Sequence, residues 1–512
     1  MVMRHAISAC FAVLLLACSG LQSEQEAGSR PNIIYILADD LGYGDLSCYN
    51  PESKIHTPHL DQLAEQGMRF TDMHSPSSVC TPTRYGILTG QYCWRSRLPQ
   101  GVLRGYGRTF IDEKQETVAE MLQTQGYRTA VVGKWHLGID WVLRTSMDSL
   151  LADDKTQVNE QGVIAECDPQ LIDFDQPPTR GPLDHGFDYS FVLPASLDMD
   201  PYCYLENDIL VSKPTAHTPG NDLDKGYAGR FWRAGLMSPD FDFDQVLPNF
   251  RKKAISFLDR AAQDDQPFFL YLPLAAPHTP WTPTSDYQGR TDIDLYGDFV
   301  EMVDAEVGAV LQKLDDLQLH ENTLVIFTSD NGPFWTPALI EKYGHRAAGS
   351  LRGMKADAYE GGHRIPYLAR LPGTIKAGTK SAALNSLTHL YATLADLLNL
   401  TPAEGQAEDS RSLLPALRGE SSAADSIACV IHHSSRAYFA VRQGDWKLIE
   451  GLGSGGFSKP ASVSPETDGP TGQLYNLHDD PGEEVNLYLH RPDVRERLAL
   501  SLKNSKKQGG MQ

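Results

Sequence analysis

Hydrophobic and polar positions alternate along this chain in a repeated order. Residues 32–38, 129–133, 268–274 and 323–329 are short runs of β-branched, aromatic and aliphatic side chains, and polar residues follow each of them. The first leads to Asp39 and Asp40, and the second to Lys134, Trp135 and His136. The third leads to Pro277-His278-Thr279-Pro280, and the fourth to Asp330-Asn331-Gly332. Unbroken apolar runs of this length predict strands of a parallel sheet buried on both faces. Helical periodicity fills the intervals at 60–66, 117–125, 247–262 and 298–317. Strands alternating with helices predict an α/β domain with crossover connections. Ligands of such sheets bind beyond the carboxyl ends of the strands. The polar residues just named are therefore expected to meet at one sheet edge, although they are far apart in sequence.

The pattern changes after a helical stretch at 388–400. Connectors follow at 402–405 and near 420–422, and 428–432, 436–442, 446–450 and 473–477 then alternate like strands of a small antiparallel sheet. Residues 452–470, rich in Gly, Ser and Pro, read as a flexible excursion. At 512 residues the chain is too long for one small core. A large domain over 31–424 and a smaller subdomain over 425–512 are expected. The N-terminus reads as an export signal. Arg4 precedes an apolar run over 6–17 that is too short to span a bilayer, and Leu15-Leu16-Ala17-Cys18-Ser19 resembles a bacterial lipobox. The expectation is a signal over 1–17, lipid on Cys18 and a polar tether over 18–30. Such a lipoprotein would sit in the periplasm or at the cell surface, anchored to the outer membrane.

A net charge of −21 argues against nucleic acid as a partner. It does not exclude an anionic ligand, because screening confines the long-range field to about 10 Å and a local cationic pocket can prevail. Of eight cysteines, Cys10 leaves with the signal, Cys18 is the expected lipid site, and Cys80 stands in a distinctive setting. The remaining five are scattered and odd in number, which implies no dense disulfide framework.

Cys80-Thr81-Pro82-Thr83-Arg84 is followed by residues 85–92, which read as a short helix. A reactive side chain at a helix N-terminus meets free N–H groups and the positive dipole end, which suits anions. Asp39, Asp40, Asp330 and Asn331 are hard oxygen donors and suit Ca²⁺ or Mg²⁺ rather than zinc. Arg84, Lys134, His136 and His278 add donors and positive charge, and Lys355 is a further candidate on a loop. Taken singly, aspartates after strands cap helices and lone Lys or His residues are solvated or structural. It is the coincidence of complementary types at strand ends that points to a site. His432 and His433 are adjacent on a predicted strand, so they face opposite ways and are read as structural.

With these residues identified, the chain resembles the type I sulfatases of the alkaline-phosphatase-like superfamily. The resemblance rests on Ala38-Asp39-Asp40-Leu41-Gly42-Tyr43-Gly44-Asp45, residues 80–92, Gly133-Lys134-Trp135-His136-Leu137-Gly138, Pro277-His278-Thr279-Pro280, Ser329-Asp330-Asn331-Gly332 and the segment 360–366. It implies a large, mixed, mostly parallel sheet flanked by helices, with a smaller C-terminal antiparallel sheet. It implies that a maturase oxidises Cys80 to Cα-formylglycine, and that Asp39, Asp40, Asp330, Asn331 and the modified Cys80 bind Ca²⁺. Arg84, Lys134, His136, His278 and Lys355 would then hold the sulfate and move protons. Thr81 and Thr83 stand where many relatives have serine, while Cys80, Pro82 and Arg84 are intact. Residues 184–208 resemble the arylsulfatase A and N-acetylgalactosamine-6-sulfatase branch, which implies a sulfated polysaccharide or oligosaccharide as substrate. Trp335 and His363, with Trp281 and Tyr287, are candidate sugar contacts. The alternatives are a phosphodiesterase or phosphonate monoester hydrolase of the same superfamily, or a non-catalytic glycan-binding lipoprotein.

Overall fold

The central strand, Asn32–Asp39, divides its side chains between two cores. Ile33, Tyr35 and Leu37 enter one, and Ile34, Ile36 and Ala38 enter the other. Alternate residues of a strand point to opposite faces, so a strand apolar throughout must be covered on both sides. The computed structural model describes residues 30–144, 167–221, 228–420 and 429–508; the expected signal and Cys18 lie outside them.

Among the described residues the large sheet has eleven strands. Asn32–Asp39 lies between Thr323–Ser329 and Phe268–Pro277, parallel to both. Arg128–Lys134 and then Tyr189–Leu193 continue the parallel set beyond Phe268–Pro277. On the other side Arg364–Arg370 and then Met68–His74 pair antiparallel, which makes the sheet mixed. The helices Val246–Ala261 and Leu295–Asp316 cover one face and contribute Phe250, Phe257, Phe299 and Val303 to its core. The expected strands and helices agree with these elements to within a few residues.

The smaller C-terminal sheet is antiparallel, in the order Val430–His433, Phe439–Gln443, Trp446–Glu450, Gly472–Asn476. Val494, Leu498 and Leu502 of the terminal helix Pro492–Gln508 repeat every four residues and pack on Ile431, Val441 and Leu474 of this sheet. All six cysteines among the described residues are free. No helix among the described residues is long and apolar enough to cross a membrane.

Candidate active site

The cysteine begins its helix, Cys80–Thr89, where the pattern predicted a helix only from residue 85. The early start is allowed because Pro82 lies in the first turn, where an N–H has no intrahelical acceptor. Its consequence is geometric: Cys80 and Arg84 are four residues apart and share one helix face.

Around that face the strand ends converge. Lys355 Nζ lies 2.8 Å from Asp40 Oδ2 and 3.9 Å from Cys80 Sγ. Lys134 Nζ donates to Asp39 Oδ2 at 2.6 Å and to Ser196 Oγ at 3.1 Å. Arg84 donates through Nε and NH2 to Asp330 Oδ2, at 3.0 and 2.8 Å, and through NH1 to the Lys134 carbonyl. His278 Nε2 is 3.6 Å from Asp40 Oδ2. Asn331 Nδ2 donates to Asp40 Oδ1 at 2.7 Å, and the Asp40 N–H donates to Asp330 Oδ1 at 3.2 Å. Asp40 holds a φ of 63°, a left-handed conformation costly for a residue with a Cβ and frequent at functional sites. All the named side chains are buried, Cys80 being only 2 % exposed.

Asp39 Oδ1 and Asn331 Oδ1 are buried with no hydrogen-bond partner. Leaving such oxygens unmatched is expensive. Asp39, Asp40, Cys80 and His278 also offer atoms close enough together to hold a metal ion. Orphaned oxygens in a carboxylate and amide set fit a hard divalent cation. The charges agree: Asp39, Asp40 and Asp330 balance Arg84, Lys134 and Lys355, so an added divalent ion leaves a positive pocket for an anion.

Burial and the neighbouring Asp39 push the Asp330 carboxyl up to about 7, despite the grip of Arg84. Burial also pushes the Cys80 thiol up, to about 11, so an unmodified Cys80 is a thiol at neutral pH and a poor nucleophile. His136 sits well below the ordinary imidazole value, through burial first and then Lys134 and Arg84. Its Nε2 is 2.7 Å from the Leu103 carbonyl, which can only accept, so Nε2 carries the hydrogen and donates, while Nδ1 has no partner. His278 is lowered by burial and by Lys355, with Asp40 and Asp39 opposing. Its Nδ1 commits to the Thr279 carbonyl at 2.6 Å, which leaves Nε2 toward Asp40.

Two candidate sugar contacts need correction. Trp335 is buried, donates to the His345 carbonyl and packs on Tyr296 and Trp281. His345 Nε2 lies 2.8 Å from Asp45 Oδ1, and Asp45 Oδ2 accepts from the Gly42 N–H and from Tyr296. Trp335 thus braces the turn that presents Asp39 and Asp40, and it has no face for a ligand. Trp281 is buried in the same aromatic group, and Tyr287 lies on the outside beneath Arg290.

His363 is fully buried between the two sheets. Lys447 Nζ lies 3.1 Å from His363 Nε2, His363 Nδ1 lies 2.9 Å from His74 Nδ1, and His74 Nε2 lies 2.8 Å from Asp72 Oδ1. One arrangement satisfies all three contacts: Lys447 donates to His363, His363 to His74, and His74 to Asp72. His432 stacks on His363 with ring centres 3.4 Å apart, and neither of its ring nitrogens has a partner. The three imidazoles are close enough to hold a metal. The hydrogen bonds among them, however, occupy both nitrogens of His363 and of His74, which leaves those two imidazoles no lone pair for a metal. The cluster is an interdomain contact.

This contact predicts a pH dependence of stability. Burial holds His74, His363 and His432 below the ordinary 6.5. As pH falls through about 6.5 the unfolded chain takes up protons that the folded chain refuses, so their contribution to stability is lost on acidification. Asp304 and Asp208, raised to about 6, and Glu306, raised to about 7, act in the opposite sense. A His432→Leu variant isolates the histidine share. Its Tm relative to wild type is expected to rise steadily between about pH 7.5 and 5.5. A constant difference across that range would refute the assignment.

Ser196, which bridges Lys134 and His278, was not singled out in the sequence. It follows the strand Tyr189–Leu193, so the rule that strands end in chemistry could have found it.

The Sulfatase family pattern matches residues 31–400. An N-acetylgalactosamine-6-O-sulfatase of Bacteroides thetaiotaomicron is 33 % identical over 511 residues, covering 93 % of each chain. Human arylsulfatase A is 34 % identical over 473 residues, 89 % of this chain and 83 % of its own. A solved structure described under the metabolism of multiple glycosaminoglycans by Bacteroides thetaiotaomicron superposes with a TM-score of 0.79 at 31 % identity. It covers 94 % of this chain and 100 % of its own.

Proposed function

The chain belongs to the sulfatase family and is a sulfuric ester hydrolase, and on that premise we propose that it desulfates a sulfated saccharide through Cys80 oxidised to formylglycine, with Asp39, Asp40, Asp330 and Asn331 holding Ca²⁺. The observation that carries this reading is the approach of Lys355 and Asp40 to Cys80, beside two buried oxygens that have no partner. Similarity along nearly the whole chain to a relative named an N-acetylgalactosamine-6-O-sulfatase supports a 6-O-sulfated N-acetylhexosamine within a glycan.

Calcium, when bound, supplies a Lewis acid that polarises a sulfate oxygen. Cys80 oxidised and hydrated would offer two hydroxyls on one carbon: one would attack sulfur, and loss of the proton from the other would break the carbon–oxygen bond to sulfate and restore the aldehyde, whereas a serine would remain as a stable sulfate ester. Arg84, Lys134 and Lys355 surround the transferring group with positive charge from fixed positions, a large contribution in a buried pocket. His278, with Nδ1 committed to Thr279, turns Nε2 toward the departing sugar oxygen and gives up a proton there in its imidazolium form, which the adjacent Asp40 carboxylate favours against burial. Lys355 lies beside it on the same Asp40 carboxylate. His136, with Nε2 committed to Leu103, keeps the Nδ1 lone pair, and its lowered pKa leaves it neutral and able to accept a proton near pH 7.

Cys80 is 2 % exposed, which supports conversion by the maturase before the chain has folded. Anchorage through lipid on Cys18, at the periplasmic face or the cell surface, completes the proposal.

Assay against sulfated saccharides in parallel with phosphate monoesters, diesters and phosphonates tests the reading. Sulfate release from 6-O-sulfated N-acetylgalactosamine is expected, and a clear preference for phosphorus would transfer the site to the phosphohydrolase alternative. The His278→Ala variant should lose about 10²–10⁴-fold on a sugar sulfate, whose alcohol needs a proton to leave. On 4-nitrophenyl sulfate it should lose much less. Equal losses on both substrates would remove His278 from the acid role.

A further inference from the structure

The Gly/Ser-rich stretch after residue 451 does not wander. Ser454 accepts from the Ala358 N–H at 2.8 Å, and Ser458 donates its N–H to Asp357 Oδ1 at 3.0 Å. Asp357 Oδ2 accepts from the Met354 N–H at 3.0 Å, so one carboxylate ties this loop to the loop bearing Lys355. Gly456 seals the contact. A Cβ there would lie 2.2 Å from the Ala356 carbonyl oxygen, so only glycine allows the two backbones to approach so closely.

Phe457 comes next and is carried against Phe334 of the large domain. Its ring meets Phe334 edge-on, with centres 5.8 Å apart and planes at 81°. Phe334 lines the same small cavity as Asp40, Lys355, Thr279 and Trp281. Neither phenylalanine is fully buried. The charged floor of the pocket is built for sulfate and is indifferent to what bears it. A sulfated sugar brings in addition an apolar C–H face, which suits an aromatic surface.

We propose that Phe334 and Phe457 form the wall on which the pyranose ring of the substrate packs, so that a loop of the C-terminal subdomain joins the large domain in selecting the saccharide. This assignment rests on the sulfated-saccharide reading.

The test measures KM and kcat on 6-O-sulfated N-acetylgalactosamine, and inhibition by inorganic sulfate, for the matured enzyme and its Phe457→Ala, Phe334→Ala and Phe457→Tyr variants. The expected result is a KM raised about tenfold in each alanine variant, with kcat within about threefold, sulfate inhibition unchanged and Phe457→Tyr near wild type. Phe457→Leu, which preserves the apolar contact within the loop, should show a smaller rise in KM and provides a well-folded comparison. Unchanged KM in both alanine variants would overturn the wall. So would an equal weakening of sulfate inhibition, because the loss would then come from a displaced Lys355 loop. A wild-type enzyme that cleaves 4-nitrophenyl sulfate but no sulfated saccharide would instead overturn the substrate reading itself.

Discussion

Cys80→Ala is expected to fold with a Tm close to wild type and to lose about 10⁴–10⁶-fold in turnover, the scale on which removal of a nucleophile acts. Folding should survive because the thiol is a small buried group held by a single long hydrogen bond, from Lys355 at 3.9 Å. Turnover should not, because the cations around Cys80 are not free to replace the nucleophile. Lys134 and Arg84 are held by carboxylates, and Lys355, though burial opposes it, is kept protonated by Asp40. Steady-state kinetics on a sugar sulfate, with thermal melts of both proteins, measure the effect. Mass spectrometry of the peptide containing Cys80, from native-host protein, is expected to show an aldehyde. A free thiol in fully active enzyme would remove formylglycine from the mechanism.

Removing the divalent ion is the second large perturbation. Without it the carboxylates of Asp39, Asp40 and Asp330 share a buried space in which Asp39 Oδ1 and Asn331 Oδ1 have no partner, and Asp330 is driven up to about 7. Chelation is expected to abolish measurable turnover and to lower Tm. Readdition of Ca²⁺ at 100 times its Kd should return about 2.7 kcal/mol of stability. Thermal melts and calorimetric titration of the chelated protein provide the readout, and Asp39→Ala should remove most of the Ca²⁺-dependent gain. A chelated enzyme with unaltered Tm and full activity would show that the oxygens serve another purpose.

Much of the fold was legible because it depends on periodicity. Asn32–Asp39 had to be a central strand, since both of its faces are apolar, and its polar continuation had to emerge at a sheet edge. The strand-end residues could be assigned to one site before any coordinates, because a parallel sheet brings all its carboxyl ends to the same side. Lys355 was less secure. It lies on a loop with no local pattern, and only its contact with Asp40 accounts for its charge.

Trp335 and His363 show the opposite failure. An aromatic residue or a histidine in a loop beside a catalytic motif has the right chemistry for a sugar contact. Whether it faces a ligand depends on what packs over it. Trp335 is covered by Tyr296 and Tyr343, and His363 by His432 from a strand some seventy residues later in the chain. Phe457 erred in the other direction, since a glycine- and serine-rich stretch gives no hint that Asp357 will fasten it.

By itself, then, the sequence determined the strand and helix order, the residues at the strand ends, and hence the charge and donor types of the central pocket. These depend on local periodicity and on the single direction of a parallel sheet. Only the tertiary structure decided which aromatic rings brace the pocket, and how a loop of the C-terminal subdomain is fastened to the loop bearing Lys355. Those outcomes depend on contacts between segments far apart along the chain, and no local pattern encodes which segments will meet.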